Sequence, residues 1–166
     1  FAPVGDVTSH GLLDAALDQD LRGFVQLSST AVYGDTLPSR PVEEDWAFRP
    51  RTPLARSCAT AEHAARTYRR RLPLTILRPA LPFGPRDDGD FSRLLLHFLA
   101  ARRPLLIGGG RAPLSLTYAP DLARALWNVL DQFEEAVDQV FHVKSIDADW
   151  RSVLEETSAL LHRRPR

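Results

Sequence analysis

The side chains able to do chemistry are few and unevenly placed. Ser28, Ser29 and Thr30 form a run of hydroxyls directly after the apolar stretch "FVQL". A hydroxyl at a strand end can orient a substrate carbonyl or hydroxyl, or it can satisfy the amides of the following loop. Cys58 is the one thiol, near the start of an alanine-rich segment where a helix can lower a thiol pKa; without an obvious base partner it reads better as a small buried residue. Lys144 is the one lysine among 21 basic side chains, so any mechanism that needs an ammonium has a single candidate. His10, His63, His97, His142 and His162 are scattered with no paired Cys/His spacing, which gives a metal site no support.

These residues need elements to hold them. "VTSHGLLDAALDQDL", residues 7–21, carries leucines and alanines at helical spacing behind a Thr8 or Ser9 cap. "FVQLSS" then reads as a short buried strand running into a loop. The stretch "YGDTLPSRPVEEDWAFRPRTP" is rich in proline and charge and belongs on the surface, anchored by Trp46 and Phe48. A helix is predicted over 54–71, a buried strand over 72–79 and a helix over 91–103. "PLLIGGG" and "LSLTYA" read as short strands about a glycine turn, Asp121 as the N-cap of the next helix, "QVFHV" as the last strand and "DWRSVLEETSALLHRR" as the last helix. Alternating helices and strands imply an α/β fold with a doubly wound, mainly parallel sheet. No repeat period is present.

The 166 residues, 44% hydrophobic, suffice for a substantial core. With 21 basic and 21 acidic side chains the net charge is zero, so no field draws in nucleic acid or an anionic membrane. No signal peptide or bilayer-length apolar run is seen, and the single cysteine makes no disulfide framework; a cytoplasmic setting is the expectation. The chain starts at Phe1 and contains no methionine, as expected of a piece of a longer protein.

Ligands of an open α/β sheet bind beyond the carboxyl ends of its strands. There the chain has "SSTAVYG" and "RPALPFGP", and these, with "VEEDWAFRPRTP", "LLIGGG" and "YAPDLARAL", resemble in order and separation the motifs of the extended short-chain dehydrogenase/reductase superfamily, the NAD-dependent epimerases and dehydratases. The resemblance implies the later portion of a Rossmann-like domain across residues 1–166, with substrate-side segments around 82–120 and 144–166. The glycine-rich nucleotide-binding half is absent from the chain and would precede Phe1. NAD or NADP is the implied cofactor.

In that family a Ser or Thr orients the substrate, a Tyr exchanges its proton, and a Lys holds the ribose and lowers the Tyr pKa. The resemblance puts the catalytic hydroxyl at Ser29, the cofactor-side positions at Ser28, Arg78 and Pro79, and substrate-lining positions at Thr30, Tyr33 and Leu81. Pro53, Ser57 and Glu62 fix the frame of the helix motif, which then places the family tyrosine on Leu54 and the lysine on Cys58. Leucine has no proton to give and a thiol supplies no fixed positive charge. Tyr33, Tyr118 and Lys144 are poor stand-ins, because neither tyrosine has a lysine four residues on. Leu81 and Leu114 replace an Asn and an Arg common in sugar-nucleotide enzymes, which argues against a nucleotide-sugar substrate; Arg111 reads as an exposed turn residue.

Three functions are compatible with this pattern. One is an NAD(P)-dependent oxidoreductase or epimerase-like protein acting on a small carbonyl or hydroxyl compound with a non-standard or lost proton relay. Another is a non-catalytic dinucleotide-binding or ligand-sensing relative. The third is a structural subunit beside an active homologue. The family resemblance also implies a homodimer formed by helices 7–21 and 54–71 across a two-fold axis.

Overall fold

A computed structural model of the chain describes residues 6–19, 21–34, 41–100 and 107–160. The chain divides into two units, Phe1–Ala80 with Ala123–Val143 and Leu81–Leu122 with Lys144–Arg166.

The first unit is a three-stranded parallel sheet ordered β1-β2-β5, where β1 is Phe24–Leu27, β2 Leu74–Pro79 and β5 Val140–Val143. Central β2 is buried along its whole length, as a parallel strand covered on both faces must be. Alternation gives each strand two faces. Phe24, Leu74, Ile76 and Val140 share one of them, and against it pack α1, Asp6–Asp18, and α2, Pro53–Tyr68. Leu13, Ala16, Ala64, Ala65, Leu72, Leu74 and Ile76 form this core, in which the alanines allow close approach. Burying the four aliphatic side chains Leu13, Leu72, Leu74 and Ile76 stabilises the unit by roughly 1.5–3 kcal/mol each before chain entropy is counted.

Local chemistry sets the start of α2. Thr52 accepts the Ala55 N–H at 3.1 Å and Pro53 follows at the first helical position, so one otherwise unpaired donor is satisfied and another is missing by nature. The first unit also contains most of α4, Ala119–Asp131, and the short α5, Phe133–Ala136.

The second unit has its own sheet, ordered β3-β4-β6, with β3 Leu81–Phe83, β4 Pro113–Tyr118 and β6 Ile146–Asp149. β3 and β4 are parallel, β4 and β6 antiparallel. Helices α3, Asp90–Ala100, and α6, Trp150–Leu160, belong to it, joined by Trp150, whose ring lies 5.4 Å from Phe91 and 5.6 Å from Phe98.

The α/β fold and its parallel Rossmann-like sheet are as expected, with three local corrections. β3, β6 and α5 were not foreseen: β3 is three residues long, and "IDAD" lacks an apolar run and owes its extended form to pairing with β4. Asp121 sits inside the first turn of α4 rather than capping it, where its charge still faces the positive end of the helix dipole. The expected glycine turn is present, with Gly108, Gly109 and Gly110 at positive φ, but it takes in Ile107, which the sequence predicts as strand. The rest of "PLLIGGG", residues 104–106, and the predicted helix ends beyond 100 and 160 lie outside the described residues, as does part of the proline-rich loop.

Candidate functional site

β1 delivers the hydroxyl run. Ser28 N–H donates to the Leu77 carbonyl at 2.8 Å, which carries the β1–β2 pairing one residue past the strand. Ser29, extended at φ −155° and ψ 149°, caps a 3-10 turn over Thr30–Tyr33, its Oγ accepting the Ala31 N–H at 3.1 Å. Capping uses a lone pair and leaves the Ser29 proton free to be donated. Gly34 ends the turn at φ 76°, and a Cβ there would run into the Arg49 carbonyl.

β2 and α2 supply the charges. Arg78, near the end of β2, and Glu62, in the third turn of α2, are both fully buried and form an ion pair. Arg78 Nε donates to Glu62 Oε2 at 3.0 Å, Nη2 donates to Oε1, and half-exposed Arg66 adds a 2.9 Å bond to Oε1. The Arg78 Nη1 donates to the Tyr33 hydroxyl and, at 2.7 Å, to the Glu44 carbonyl. Its guanidinium carbon also lies 4.9 Å from the centre of the Phe48 ring. Burial alone would raise the Glu62 pKa; hydrogen bonds from Arg78 and Arg66, with the Arg78 charge, outweigh it and hold the carboxyl below its ordinary range.

Tyr33 and His142 extend this network towards the surface. The Tyr33 hydroxyl is 2.7 Å from His142 Nε2, and His142 Nδ1 is 3.4 Å from Glu44 Oε1. Burial lowers the His142 pKa, more than the Glu44 carboxylate raises it, so the ring favours the neutral form. Burial likewise raises the Tyr33 phenol despite Arg78 beside it, and Tyr33 stays protonated at neutral pH.

Leu54, Cys58 and Glu62 are four residues apart and so lie along one stripe of α2. The stripe runs from Leu54, 66% exposed, through half-buried Cys58 to buried Glu62. Burial and the nearby Glu62 charge push the Cys58 thiol up, so it is neither a cation nor a ready nucleophile. Ser28 Oγ is buried and makes no hydrogen bond of ordinary geometry, yet lies near enough to Glu62 to help hold its carboxyl down.

The sequence-derived positions thus divide. Ser28, Ser29, Thr30, Tyr33, Leu54, Cys58, Arg78 and Pro79 all fall in the first unit, and Ser28, Tyr33, Cys58 and Arg78 gather around Glu62. The Arg78 guanidinium is committed to internal partners, and Pro79 closes β2 in register with Val143. Leu81 opens β3 in the second unit, 39% exposed. Lys144 also falls in the second unit, and its ammonium pairs with Asp147. His142 and Glu44 were not singled out from sequence; an arginine inside the apolar run "LTILRP" was the one signal of a buried charge needing partners.

Among the described residues no group of three or more His, Cys, Asp or Glu could hold a metal, and no helix is long and apolar enough to cross a membrane. A dinucleotide needs a backbone cradle for its pyrophosphate. The glycine run Gly108–Gly110 is followed by β4 instead of a helix, so the described residues offer strand-end groups for such a cofactor but no cradle.

Comparison with known proteins adds to this geometry. A family model described as the NAD dependent epimerase/dehydratase family matches residues 7–143. Low-salt glycan biosynthesis protein Agl12 of Haloferax volcanii is 42% identical over 140 residues, 81% of this chain and 44% of its own length. Mouse dTDP-D-glucose 4,6-dehydratase is 29% identical over 141 residues, 81% of this chain and 39% of its own. The solved structure of UDP-glucuronic acid 4-epimerase from Bacillus cereus, in complex with UDP-glucuronic acid and NAD, matches with a TM-score of 0.77 at 27% identity, over 92% of this chain and 51% of that one. The chain spans about half the length of these relatives, or less.

Proposed function

The chain belongs to the NAD dependent epimerase/dehydratase family, and on that footing we propose that it is part of an NAD(P)-dependent oxidoreductase or epimerase-like protein with a non-standard or lost proton relay. Its substrate is a small carbonyl or hydroxyl compound. The observation that supports this reading is the α2 stripe: a leucine in solvent and an uncharged thiol stand where the resemblance expects a phenol and an ammonium, beside the buried Glu62–Arg78 pair. A bound nicotinamide would supply or accept the hydride. Ser29 donates its free proton to the substrate oxygen, and Thr30 stands beside it on the substrate side. Buried Tyr33 acts through its bonds to Arg78 and His142. Leu81 is a separate substrate position by the family resemblance, and Ser28, Pro79 and the Arg78 backbone border the cofactor. The family resemblance assigns substrate-side segments to residues 82–120 and 144–166. Leu81 and Leu114 speak against a nucleotide sugar, whereas the names of the matched epimerase and dehydratase speak for one, so that class belongs in the assay.

The experiment is a titration of the full-length protein with NADH and NADPH, read by fluorescence transfer from tryptophan, then absorbance of the cofactor with a panel of carbonyl compounds and nucleotide sugars. Binding with slow turnover, raised by the double change Leu54→Tyr and Cys58→Lys, supports the reading. Binding without turnover in either protein favours the second reading, a ligand-sensing relative, for which the same two lost groups argue. Absence of binding rejects both. A homodimer through α1 and α2 accompanies the proposal, supported by Leu12, 59% exposed on α1; a monomeric mass by light scattering would remove it.

A further inference from the structure

The Tyr33 hydroxyl stands where turn, loop and two strands meet. It belongs to the last residue of the turn that Ser29 caps, and it has one proton and two lone pairs to distribute. Arg78, from β2, donates to it and takes one lone pair. Two acceptors compete for its proton. One is His142 Nε2 on β5, at 2.7 Å; the other is the Glu44 carbonyl of the loop, at 3.4 Å, which already receives Arg78 at 2.7 Å. The nearer acceptor wins, so Nε2 is bare and the ring proton sits on Nδ1, which faces Glu44 Oε1 at 3.4 Å.

One proton reverses this bond. Arg78 stays cationic beside Glu62, and Tyr33 keeps its proton at neutral pH. His142 has a side chain 21% exposed and is the histidine of the group, so it both reaches solvent and titrates nearest neutrality. The ionisable groups facing its ring are Tyr33 from the turn, Glu44 from the loop, Arg78 from β2 and Glu62 from α2. Burial and the Arg78 charge oppose an imidazolium there, while the two carboxylates favour it. Once the ring is charged, Nε2 becomes a donor. The hydroxyl then accepts from both Arg78 and His142, and its own proton has the Glu44 carbonyl as its remaining protein partner. The change reaches Ser29 through the backbone: the Val32 N–H donates to the Ser29 carbonyl at 3.2 Å and the Arg49 N–H to the Val32 carbonyl at 2.8 Å, which ties cap, turn and loop together.

We propose that His142 is a positioning residue for Ser29: as a neutral acceptor it fixes the Tyr33 hydroxyl and, through the 30–33 turn, the direction in which Ser29 presents its proton, and a proton on the ring undoes that setting. The assignment rests on the functional reading above and deepens it. His142 acts through Tyr33 rather than on the reacting atoms.

The test takes the full-length protein, isotopically labelled at histidine and alanine nitrogen, from about pH 7.5 to about pH 5.5. Nuclear magnetic resonance follows the His142 ring nitrogens and the Ala31 amide, which donates to Ser29 Oγ. His142→Gln identifies the ring signals and Ala31→Gly the amide. Nε2 should be the bare nitrogen at the upper pH, and Ala31 should shift with the same midpoint as the ring. Tyr33→Phe should leave the ring titrating and silence Ala31. A bare Nδ1, an Ala31 amide that ignores the ring, or one that still follows it in Tyr33→Phe would overturn the proposal. In cofactor-dependent turnover kcat should fall about fivefold or more over the same interval with a smaller change in KM. His142→Gln, which offers an acceptor and takes up no proton, should flatten that limb; a limb unchanged in this variant would also overturn the proposal. Ring and amide titrating together in a protein that turns over no compound keep the positioning assignment and remove the catalytic reading, whereas turnover without their coupling does the opposite.

Discussion

Replacing Arg78 by methionine breaks the buried ion pair of the first unit. Arg78 and Glu62 are both fully buried, and removing one partner of such a pair costs about 3–5 kcal/mol because the other charge is left in the interior. Arg66, still 2.9 Å from Glu62, offsets part of this, while the Tyr33 hydroxyl and Glu44 carbonyl lose their donor. A loss of about 3 kcal/mol follows. Urea unfolding read by tryptophan fluorescence should show the midpoint falling by roughly 1–2 M, for a slope of about 2 kcal/mol per molar. The double change Arg78→Met with Glu62→Leu removes both charges and should regain more than half of the loss. A single variant that loses less than about 1 kcal/mol, or a double variant no better than the single, would refute the assignment of a tight buried pair.

Four further outcomes are expected. Because the Glu62 carboxyl is held low in the fold, its stabilisation is complete above its unfolded value of about 4.3 and is lost as pH falls through the lower folded value; Glu62→Gln should flatten the acid limb of an unfolding curve. His142 is also depressed, so its contribution is full above about 6.5 and falls as the medium is acidified below that value, a dependence that His142→Gln should remove. Gly34→Ala forces a Cβ against the Arg49 carbonyl at positive φ and should lower stability by more than about 1 kcal/mol, measured by thermal unfolding. Cys58 should react with a thiol reagent more slowly than a free cysteine at pH 7, since burial and Glu62 keep it protonated; reaction at the free rate would contradict its placement.

The parallel sheet was readable because "FVQL", "LTILRP" and "QVFHV" are apolar runs bounded by turn residues, and helix α2 because Thr52 and Pro53 announce it. β6 was not readable: "IDAD" has no strand character of its own, and pairing with β4 imposes it. The hydroxyl run and the helix motif point to the stretch where Ser28, Tyr33 and Cys58 gather around Glu62. Its electrostatic centre was missed, because nothing local joins Glu44, Glu62, Arg78 and His142, which meet only when loop, helix and two strands converge. Ser29 shows the reverse case, where a hydroxyl with two sequence-level roles, loop cap or substrate ligand, proves to be a cap with its proton to spare.

The stripe along α2 bears on how such a chain changes over generations. Glu62 is locked into the interior and Leu54 lies in water, so one helix face holds a site where nearly every replacement is punished and another where few are. Drift at the open end leaves the architecture standing. A lineage built this way can exchange the side chain at the open end through changes to which selection for folding is blind.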